Sequence, residues 1–212
     1  MKKTSPRSRG NAPGSSRPQI LNEAATLFRE VGYERTSMRA IANRVGITAG
    51  ALYWYFPSKA DLAVEFLEGV LEALMDASKR ATTGSSWGEK LCQAVRAHIM
   101  FNFEQSESNK TYNALFGAAH IPELVRNIPG SRIVDLQRKY VDIFKGILRN
   151  GVRAGEFRAV EVTPTAFAII NMCDYVSAWY SPNGRLSQGE VASLHADLAL
   201  SMVKAHARRN RH

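Results

Sequence analysis

Residues 39–56 read RAIANRVGITAGALYWYF, and this stretch decides the fold because its small residues let two helices cross closely. Ala42 is small enough for the contact point, and Gly46 supplies the positive φ that a tight turn between helices needs. Thr48 can cap the second helix. Gly50 costs that helix about 1 kcal/mol relative to alanine, so the second helix is a weak structural element by itself.

The start of this second helix is nearly bare. Residues 48–51 carry no large side chain, so the backbone can approach a DNA major groove closely, with its N–H groups directed at phosphates or base edges. The pattern therefore predicts a helix-turn-helix that binds double-stranded DNA. The alternative is a short, poorly packed linker helix.

Aromatic residues fill the end of the same helix. At about 100° per residue, Leu52 and Phe56 share one face, whereas Tyr53 and Trp54 point progressively away from it. A tyrosine can pack its ring while its hydroxyl contacts a phosphate oxygen, and a lysine that follows such a helix is a natural phosphate contact or else a solvated surface residue. The predicted phosphate contacts are Tyr53, Tyr55 and Lys59.

The rest of the chain shows helical periodicity, nearly without strand alternation, between Pro, Gly and Ser breaks. We expect an all-α fold with an N-terminal three-helix domain of the helix-turn-helix type and a C-terminal six-helix domain. The fourth helix starts at Ser58 and is expected to couple the two parts. The predicted helices span residues 18–31, 37–45, 48–56, 58–79, 87–105, 108–119, 130–150, 163–180 and 187–207.

The net charge of +9 comes from the two ends of the chain. Residues 1–18 carry five basic groups and no acid, and residues 204–212 carry four more, so the intervening chain is formally neutral. The N-terminal arm, 1–17, is predicted to be disordered and to add phosphate or minor-groove contacts. The alternative for both ends, including the basic tail 208–212, is a solubilising role.

No apolar stretch is long enough for a membrane span, and no secretory signal precedes the first helix. We therefore expect a cytoplasmic protein without a membrane partner. Cys92 and Cys173 are too few for a disulfide framework and lack metal-ligand spacing, so both are interpreted as buried free thiols. No metal and no cofactor is predicted.

Several segments together resemble the signature of the TetR family of transcriptional regulators, over residues 19 to about 65. They are Ala24-Ala25-Thr26-Leu27-Phe28, Gly32-Tyr33, Thr36-Ser37-Met38-Arg39 with Ile41-Ala42, Gly46, Gly50 with Leu52-Tyr53-Trp54-Tyr55-Phe56, and Ser58-Lys59 with Leu62. The resemblance implies a homodimer on a palindromic operator, a DNA-binding domain over 18–65 and a ligand-binding and dimerisation domain over 66–207. It places Ser37, Arg39, Thr48, Ala49 and Gly50 at base or backbone contacts, and Tyr53, Tyr55 and Lys59 at phosphate contacts. Ala49 and Gly50 offer no readable side chain, so Arg39 and the basic arm are expected to carry more of the specificity.

For the C-terminal domain, the resemblance implies that the helices at 163–180 and 187–207 pair with those of a second subunit. Val191, Leu194, Leu198 and Met202 form a heptad-like stripe suited to such packing; ordinary packing within one chain is the alternative. By position, the family's ligand cavity would be lined by Met100, Phe103, Tyr112, Phe116, His120, Phe167, Asn171, Tyr175 and Trp179, although each of these taken singly suits a plain core.

Residues 179–187, WYSPNGRLS, resemble a corner found in TetR members that respond to acyl-CoA thioesters or other lipid-like catabolites. The predicted effector is therefore a hydrophobic acid or its CoA ester, unless this corner only reflects how the last two helices turn. The predicted function is a ligand-released repressor. The alternatives are an activator, a DNA-binding protein without an effector and, more remotely, a helical enzyme acting on an acyl substrate. The histidines show no catalytic or metal-binding spacing, so no enzyme is predicted.

Overall fold

The computed structural model describes residues 16–104, 128 and 130–205. Apart from one isolated bridge between Phe157 and Lys204, the regular structure in these ranges is helical, which confirms the all-α prediction. The helices are α1 (Arg17–Val31), α2 (Met38–Val45), α3 (Ala49–Tyr55), α4 (Lys59–Ala81), α5 (Trp87–Glu104), α6 (Ile133–Arg153), α7 (Val162–Asp174), α8 (Val176–Trp179) and α9 (Gln188–Val203). The predicted helix 108–119, most of the basic arm and the tail lie outside the described residues.

The chain divides into two compact units, Met1–Ala63 and Val64–His212. The division falls inside α4, whereas the sequence placed the change of domain after residue 65. Within the ranges that the structure describes, no helix is both long and apolar enough to cross a membrane.

The N-terminal unit has a small core built from α1, α2 and α3. In this unit α1 packs on α2 and α2 packs on α3. The side chains of Ile20, Ile41 and Leu52 are fully buried, one from each helix. Gly46 ends α2 at φ +79°, in the left-handed region that a non-glycine residue adopts only at a cost. The turn that the sequence predicted is therefore present.

Three hydroxyl groups fix where the helices of this unit begin. Ser16, Ser37 and Thr48 each accept a backbone hydrogen bond from the residue three positions along the chain, at the starts of α1, α2 and α3. Such caps satisfy N–H groups that have no partner within the helix. Short helices of seven or eight residues depend on these bonds because they make few internal ones.

The C-terminal unit is built around α5, which packs on α6, α7 and α9. Large buried side chains from α5, α6 and α7 form its core. Leu91, Ile99, Phe144, Leu148 and Ile169 are fully buried. Four of these five side chains come from α5 and α6, so the contact between these two helices supplies most of this core.

Two helix predictions differ from the structure. The predicted helix 163–180 is interrupted between α7 and α8 at Tyr175, where the Ser177 hydroxyl donates to the Asp174 carbonyl oxygen and so competes with the regular helix pattern. The helix predicted over 187–207 ends at Val203, because Lys204 is extended and pairs with Phe157.

Candidate nucleic-acid interface and effector cavity

One face of α3 is buried and the other is exposed. Leu52 and Phe56 are buried, whereas Thr48, Gly50 and Tyr53 are exposed. This division separates the packing surface of the helix from a surface that is available to a partner.

Gly50 is not needed by the unit's own packing. A Cβ placed on it would meet only the Thr48 hydroxyl oxygen, at 4.0 Å, and its φ is not positive. Gly50 is the second residue of α3, and no contact within this unit requires a glycine there. A bare backbone at this place instead suits close approach by another molecule.

The eight predicted DNA contacts all lie in the N-terminal unit. Five are exposed and three are half-buried. Arg39 is exposed and makes no hydrogen bond or ion pair with the described residues. The exposed positions are Ser37, Arg39, Thr48, Gly50 and Tyr53, and the half-buried ones are Ala49, Tyr55 and Lys59. Their roles in DNA binding remain predictions.

Trp54 is a residue that the sequence did not assign to the interface. It is 81% exposed, and its ring meets the Tyr55 ring edge-on at 5.1 Å between centroids. A tryptophan so exposed on a seven-residue helix is an unusual loss of burial for a large apolar ring. The helical angle, which turned Trp54 away from Leu52, was the signal that could have identified it.

Lys59 has a structural role. Its Nζ donates to the Tyr33 carbonyl oxygen at 2.7 Å and the Glu34 carbonyl oxygen at 3.3 Å, and it lies 4.2 Å from the centre of the Tyr33 ring. Burial lowers the pKa of Lys59 and raises the pKa of Tyr33 to about 12. These bonds tie the start of α4 to the turn after α1, and the predicted phosphate contact would have to form beside them.

Arginines complete the frame that supports α3. Arg17 donates to the Tyr55 carbonyl oxygen at 2.9 Å and lies over the Phe56 ring at 4.4 Å. Arg44 pairs with Glu23 and Glu30 of α1 at 3.2 and 3.1 Å. Both ends of the helix-turn-helix are thereby tied to α1.

The C-terminal unit contains a cavity of about 660 Å³ between α4, α5, α6 and α7. Its walls combine aliphatic side chains with polar and charged groups, the mixture that is typical of small-molecule sites. The lining residues are Val70, Leu71, Leu74, Asn102, Val134, Gln137, Arg138, Tyr140, Val141, Asp142, Lys145, Phe167, Ile170, Asn171 and Asp174.

The nine predicted ligand contacts are distributed unevenly around this cavity. Phe167 and Asn171 line it. Met100 and Phe103 are half-buried on α5 but do not line it, and Phe103 packs against Tyr180 instead. Tyr175 and Trp179 are exposed outside it, with Trp179 stacked on His195. Tyr112, Phe116 and His120 lie outside the described residues. Binding at all nine positions remains a prediction.

A polar chain that the sequence did not reveal reaches the cavity wall. His98 is fully buried; its Nε2 lies 2.9 Å from Asp174 Oδ1 and its Nδ1 lies 2.8 Å from the Tyr140 hydroxyl. Beside it, the Asn102 amide donates to the Cys173 carbonyl oxygen at 3.2 Å. These residues come from α5, α6 and α7, so no spacing within one segment could have indicated the cluster.

A second polar cluster ties α6 to α4. The Glu68 carboxylate is buried and accepts from the Arg132 backbone N–H at 2.6 Å and from its guanidinium at 3.0 and 3.2 Å. Arg132 also donates to Glu72 at 2.8 Å. The residue that precedes α6 is thus bound to two carboxylates of α4, which helps to fix one wall of the cavity.

The outer surfaces of α7 to α9 expose large apolar side chains. Leu194, Leu198 and Met202 on α9 are 48, 53 and 37% exposed. Val191, which the sequence placed in the same stripe, is instead fully buried, because it packs into the unit's own core. Three of the four predicted stripe residues therefore form an outward face.

Two observations concern candidate metal ligands and the cysteines of the described ranges. No group of three His, Cys, Asp or Glu side chains there could hold a metal ion. Cys92 and Cys173 are buried free thiols, as predicted, and burial raises the pKa of both.

Models of two related domains match the chain. One, described as bacterial regulatory proteins of the tetR family, matches residues 20–66, and the other, described as a tetracyclin repressor-like C-terminal domain, matches residues 84–203. The chain belongs to the TetR family. This confirms the family resemblance and the arrangement of an N-terminal helix-turn-helix followed by a helical C-terminal domain.

Individual TetR-type proteins resemble the chain over most of its length. The HTH-type transcriptional repressor KstR2 of Mycolicibacterium smegmatis is 30% identical over 196 residues, covering 90% of this chain and 92% of that protein. The solved structure of the TetR family transcriptional regulator PfmR from Thermus thermophilus is 31% identical, with a TM-score of 0.73, and covers 86% of this chain and 97% of that one.

A third relative was solved with its ligands. The structure of AibR in complex with isovaleryl coenzyme A and operator DNA is 24% identical, with a TM-score of 0.71, and covers 89% of this chain and 97% of that one. At this identity the likeness shows the fold alone. KstR2 is named as a transcriptional repressor and PfmR as a TetR family transcriptional regulator, and the DNA-binding class of the chain follows from the TetR family to which it belongs.

Proposed function

We propose that this chain is a dimeric repressor that binds a palindromic operator through α3 and is released by a small hydrophobic effector. The observation that carries the DNA-binding part is the bare start of α3, where the fold does not require Gly50. A helix with a bare N-terminal turn can bring its backbone against base edges and phosphates. Arg39, exposed and without a described partner, is proposed as a base-reading side chain.

The exposed aromatic residues of α3 are proposed to flank the bases. The Tyr53 hydroxyl would donate to a phosphate oxygen, and Trp54 would bury its ring against the sugar–phosphate edge or a thymine methyl group. Such contacts would recover the burial that the tryptophan lacks in the free protein. Tyr55 is proposed as a further phosphate contact. Lys59 is proposed to contact a phosphate while it keeps its hydrogen bonds to the Tyr33 and Glu34 carbonyl oxygens.

Selection from random duplexes at physiological salt tests this proposal. Purified protein is expected to enrich a two-fold symmetric site, with half-sites about one helical turn apart. Recovery of no preferred sequence would overturn it. On the selected site, Arg39→Ala is expected to lower discrimination at particular base pairs, by roughly 1–3 kcal/mol for a bidentate contact. The charge-matched control Arg149→Ala removes an exposed arginine of α6 and should leave discrimination unchanged.

The hydroxyl of Tyr53 can be tested separately. Tyr53→Phe is expected to weaken binding to every duplex by a similar factor and to reduce the salt dependence only slightly, because one neutral phosphate contact is lost. Tyr175→Phe, at an exposed tyrosine of the other unit, is the control and should leave DNA affinity unchanged. A change in base preference with Tyr53→Phe would contradict the phosphate assignment.

The dimer is proposed to form through the outward face of α9 together with α7. Burial of Leu194, Leu198 and Met202 against a second copy would remove three exposed apolar side chains from water. Sedimentation equilibrium should give a dimer for the native chain and a shift toward monomer for Leu198→Arg. Leu198→Met, which keeps the position apolar, should remain dimeric.

The effector is proposed to be a hydrophobic acid or its CoA thioester, bound in the cavity of the C-terminal unit. Its support is the lining of that cavity, which combines apolar side chains with the cations Arg138 and Lys145 and with two carboxylates, and the isovaleryl coenzyme A bound by AibR. Titration of the operator complex with straight-chain acyl-CoA thioesters should release the DNA. Release by free coenzyme A alone would contradict recognition of the acyl group.

A further inference from the structure

The buried chain from Tyr140 through His98 to Asp174 has a fixed direction. A carboxylate only accepts hydrogen bonds, so Nε2 of His98 must carry the proton that it shares with Asp174 Oδ1, 2.9 Å away. With a neutral imidazole, Nδ1 then accepts from the Tyr140 hydroxyl at 2.8 Å. The imidazole thus serves as a buried support that holds the Asp174 carboxylate in one orientation.

Asp174 is exposed, in contrast to the histidine that holds it. Its side chain is 53% exposed while that of His98 is 1% exposed, and it lines the cavity with Tyr140 and Asn171. Within the described ranges its second oxygen, Oδ2, has no hydrogen-bond partner. The cavity therefore contains an oriented carboxylate that can accept a hydrogen bond and cannot donate one.

The other residues that line the cavity limit which hydrogen-bond donor fits beside Asp174. Val70, Leu71 and Leu74 of α4 form an aliphatic surface, so the body of a matching ligand is apolar. The lining also contains two cations and two carboxylates, so its formal charges balance; these residues are Arg138, Lys145, Asp142 and Asp174. Because an aliphatic wall penalises the burial of a charged group, a neutral hydroxyl suits this cavity as the donor to Asp174.

The two cations can also receive an acid. Each is paired with an aspartate on its own helix, Lys145 with Asp142 at 3.2 Å and Arg138 with Asp135 at 3.4 Å. Exposed pairs of this kind are weak, so either cation can exchange its partner for a carboxylate or phosphate on a ligand. The cavity is thus complementary to an apolar skeleton with an acidic group and a separate hydroxyl.

We propose that Asp174, positioned by His98, is a specificity-determining residue that selects an effector with a hydroxyl group on an apolar acid or thioester skeleton. The inference rests on the proposed function only in taking this cavity as the effector site. A ligand that covers Asp174 displaces water from its carboxylate, so an analogue in which the hydroxyl is missing or replaced by an acceptor leaves that carboxylate without a hydrogen-bond donor.

Calorimetric titration of the full chain without DNA tests this with matched probes. These are decanoic acid and decanoyl-CoA, unsubstituted or with a hydroxyl or a keto oxygen at carbon 3 or carbon 9. We expect at least one hydroxyl probe to bind roughly 10- to 100-fold more tightly than its keto partner. Equal affinities within every pair, or no binding by any probe, would overturn the inference.

Substitution of Asp174 should reverse the preference. In Asp174→Asn the amide oxygen can still accept from His98, which leaves the amide N–H₂ facing the cavity as a donor. The variant is therefore expected to prefer the keto probe. Asp76→Asn removes the same charge from an exposed residue of α4 that does not line the cavity, and it should keep the hydroxyl preference. An unchanged preference in Asp174→Asn would contradict the assignment.

His98 is a positioning residue, and its variants separate positioning from folding. His98→Gln retains a side-chain N–H donor and should preserve the hydroxyl preference, whereas His98→Leu should reduce it even where circular dichroism shows a folded protein. Equal preference in both folded variants would show that His98 does not position Asp174.

The outcomes also separate this inference from the proposed function. Probes that bind with the hydroxyl preference but leave operator DNA bound would contradict the proposed release mechanism and support the role of Asp174. Recovery of a preferred operator, together with equal affinities within every hydroxyl–keto pair, would support the proposed DNA binding and contradict the role of Asp174.

Discussion

The surface of α3 and the cavity of the C-terminal unit are built in different ways. The start of α3 is fixed locally by Thr48, whose hydroxyl accepts from the Ala51 N–H three positions along the chain. The polar group of the cavity joins residues that are 76 positions apart in one bond and 42 in the other. The geometry of α3 therefore depends on local caps and a small core, whereas the geometry of the cavity depends on the packing of whole helices.

The largest effect is expected from truncating a buried leucine, and its consequence should differ between the two units. Leu52→Ala should destabilise the N-terminal unit by about 2–5 kcal/mol, because it leaves a cavity in a small core. Operator binding should be lost, and hydrogen exchange should increase within residues 17–56. Leu148→Ala makes the same change at a fully buried position of the larger unit and should increase exchange in α5 and α6. Full operator affinity in Leu52→Ala would contradict the dependence of α3 on this core.

Removal of a helix cap should have a smaller effect, and only caps of the N-terminal unit should alter operator affinity. Ser37→Ala and Thr48→Ala each remove a hydroxyl that accepts a backbone N–H and should cost about 1 kcal/mol, with a fall in operator affinity. Ser187→Ala removes the hydroxyl that caps α9. The Ser187 backbone N–H and then its hydroxyl donate to the Glu190 carboxylate and lower the pKa of that group. Ser187→Ala should cost a similar amount in thermal denaturation and leave operator affinity unchanged. Equal losses of affinity in all three variants would contradict a local role for the caps.

The last expected effect, a loss of stability on ionisation of Tyr33, appears only at alkaline pH. Burial raises the pKa of Tyr33 from 10.0 to about 12, so the folded protein holds the phenol proton more tightly than the unfolded chain does. This stabilisation is complete below pH 10 and is lost as the pH rises toward 12. Chemical denaturation of the native chain and Tyr33→Phe between about pH 9 and 12 should show a steeper decline for the native chain. The titration of Lys59 contributes to both proteins, so their difference isolates Tyr33, and parallel curves would contradict its assignment.

Local physics explains which structural features could be predicted. The turn at Gly46, the caps at Ser37 and Thr48 and the burial of Leu52 all follow from neighbouring residues, and the structure has each of them. The break at Tyr175 did not follow, since it depends on how the Ser177 hydroxyl competes for a backbone carbonyl. Lys59 was expected at a phosphate, but its bonds to the Tyr33 and Glu34 carbonyl oxygens depend on the tertiary approach of α4 to the turn after α1.

The sequence by itself determined the all-α class, the helix-turn-helix and the family, because periodicity, caps and turn glycines act over a few residues. Only the tertiary structure decided which side chains meet at the cavity. It buried Val191, turned Tyr175 and Trp179 outward, and joined His98 to Asp174 and Tyr140. The physical reason is that a hydrogen bond between distant helices depends on their packing and relative rotation, and neither is encoded in any single segment.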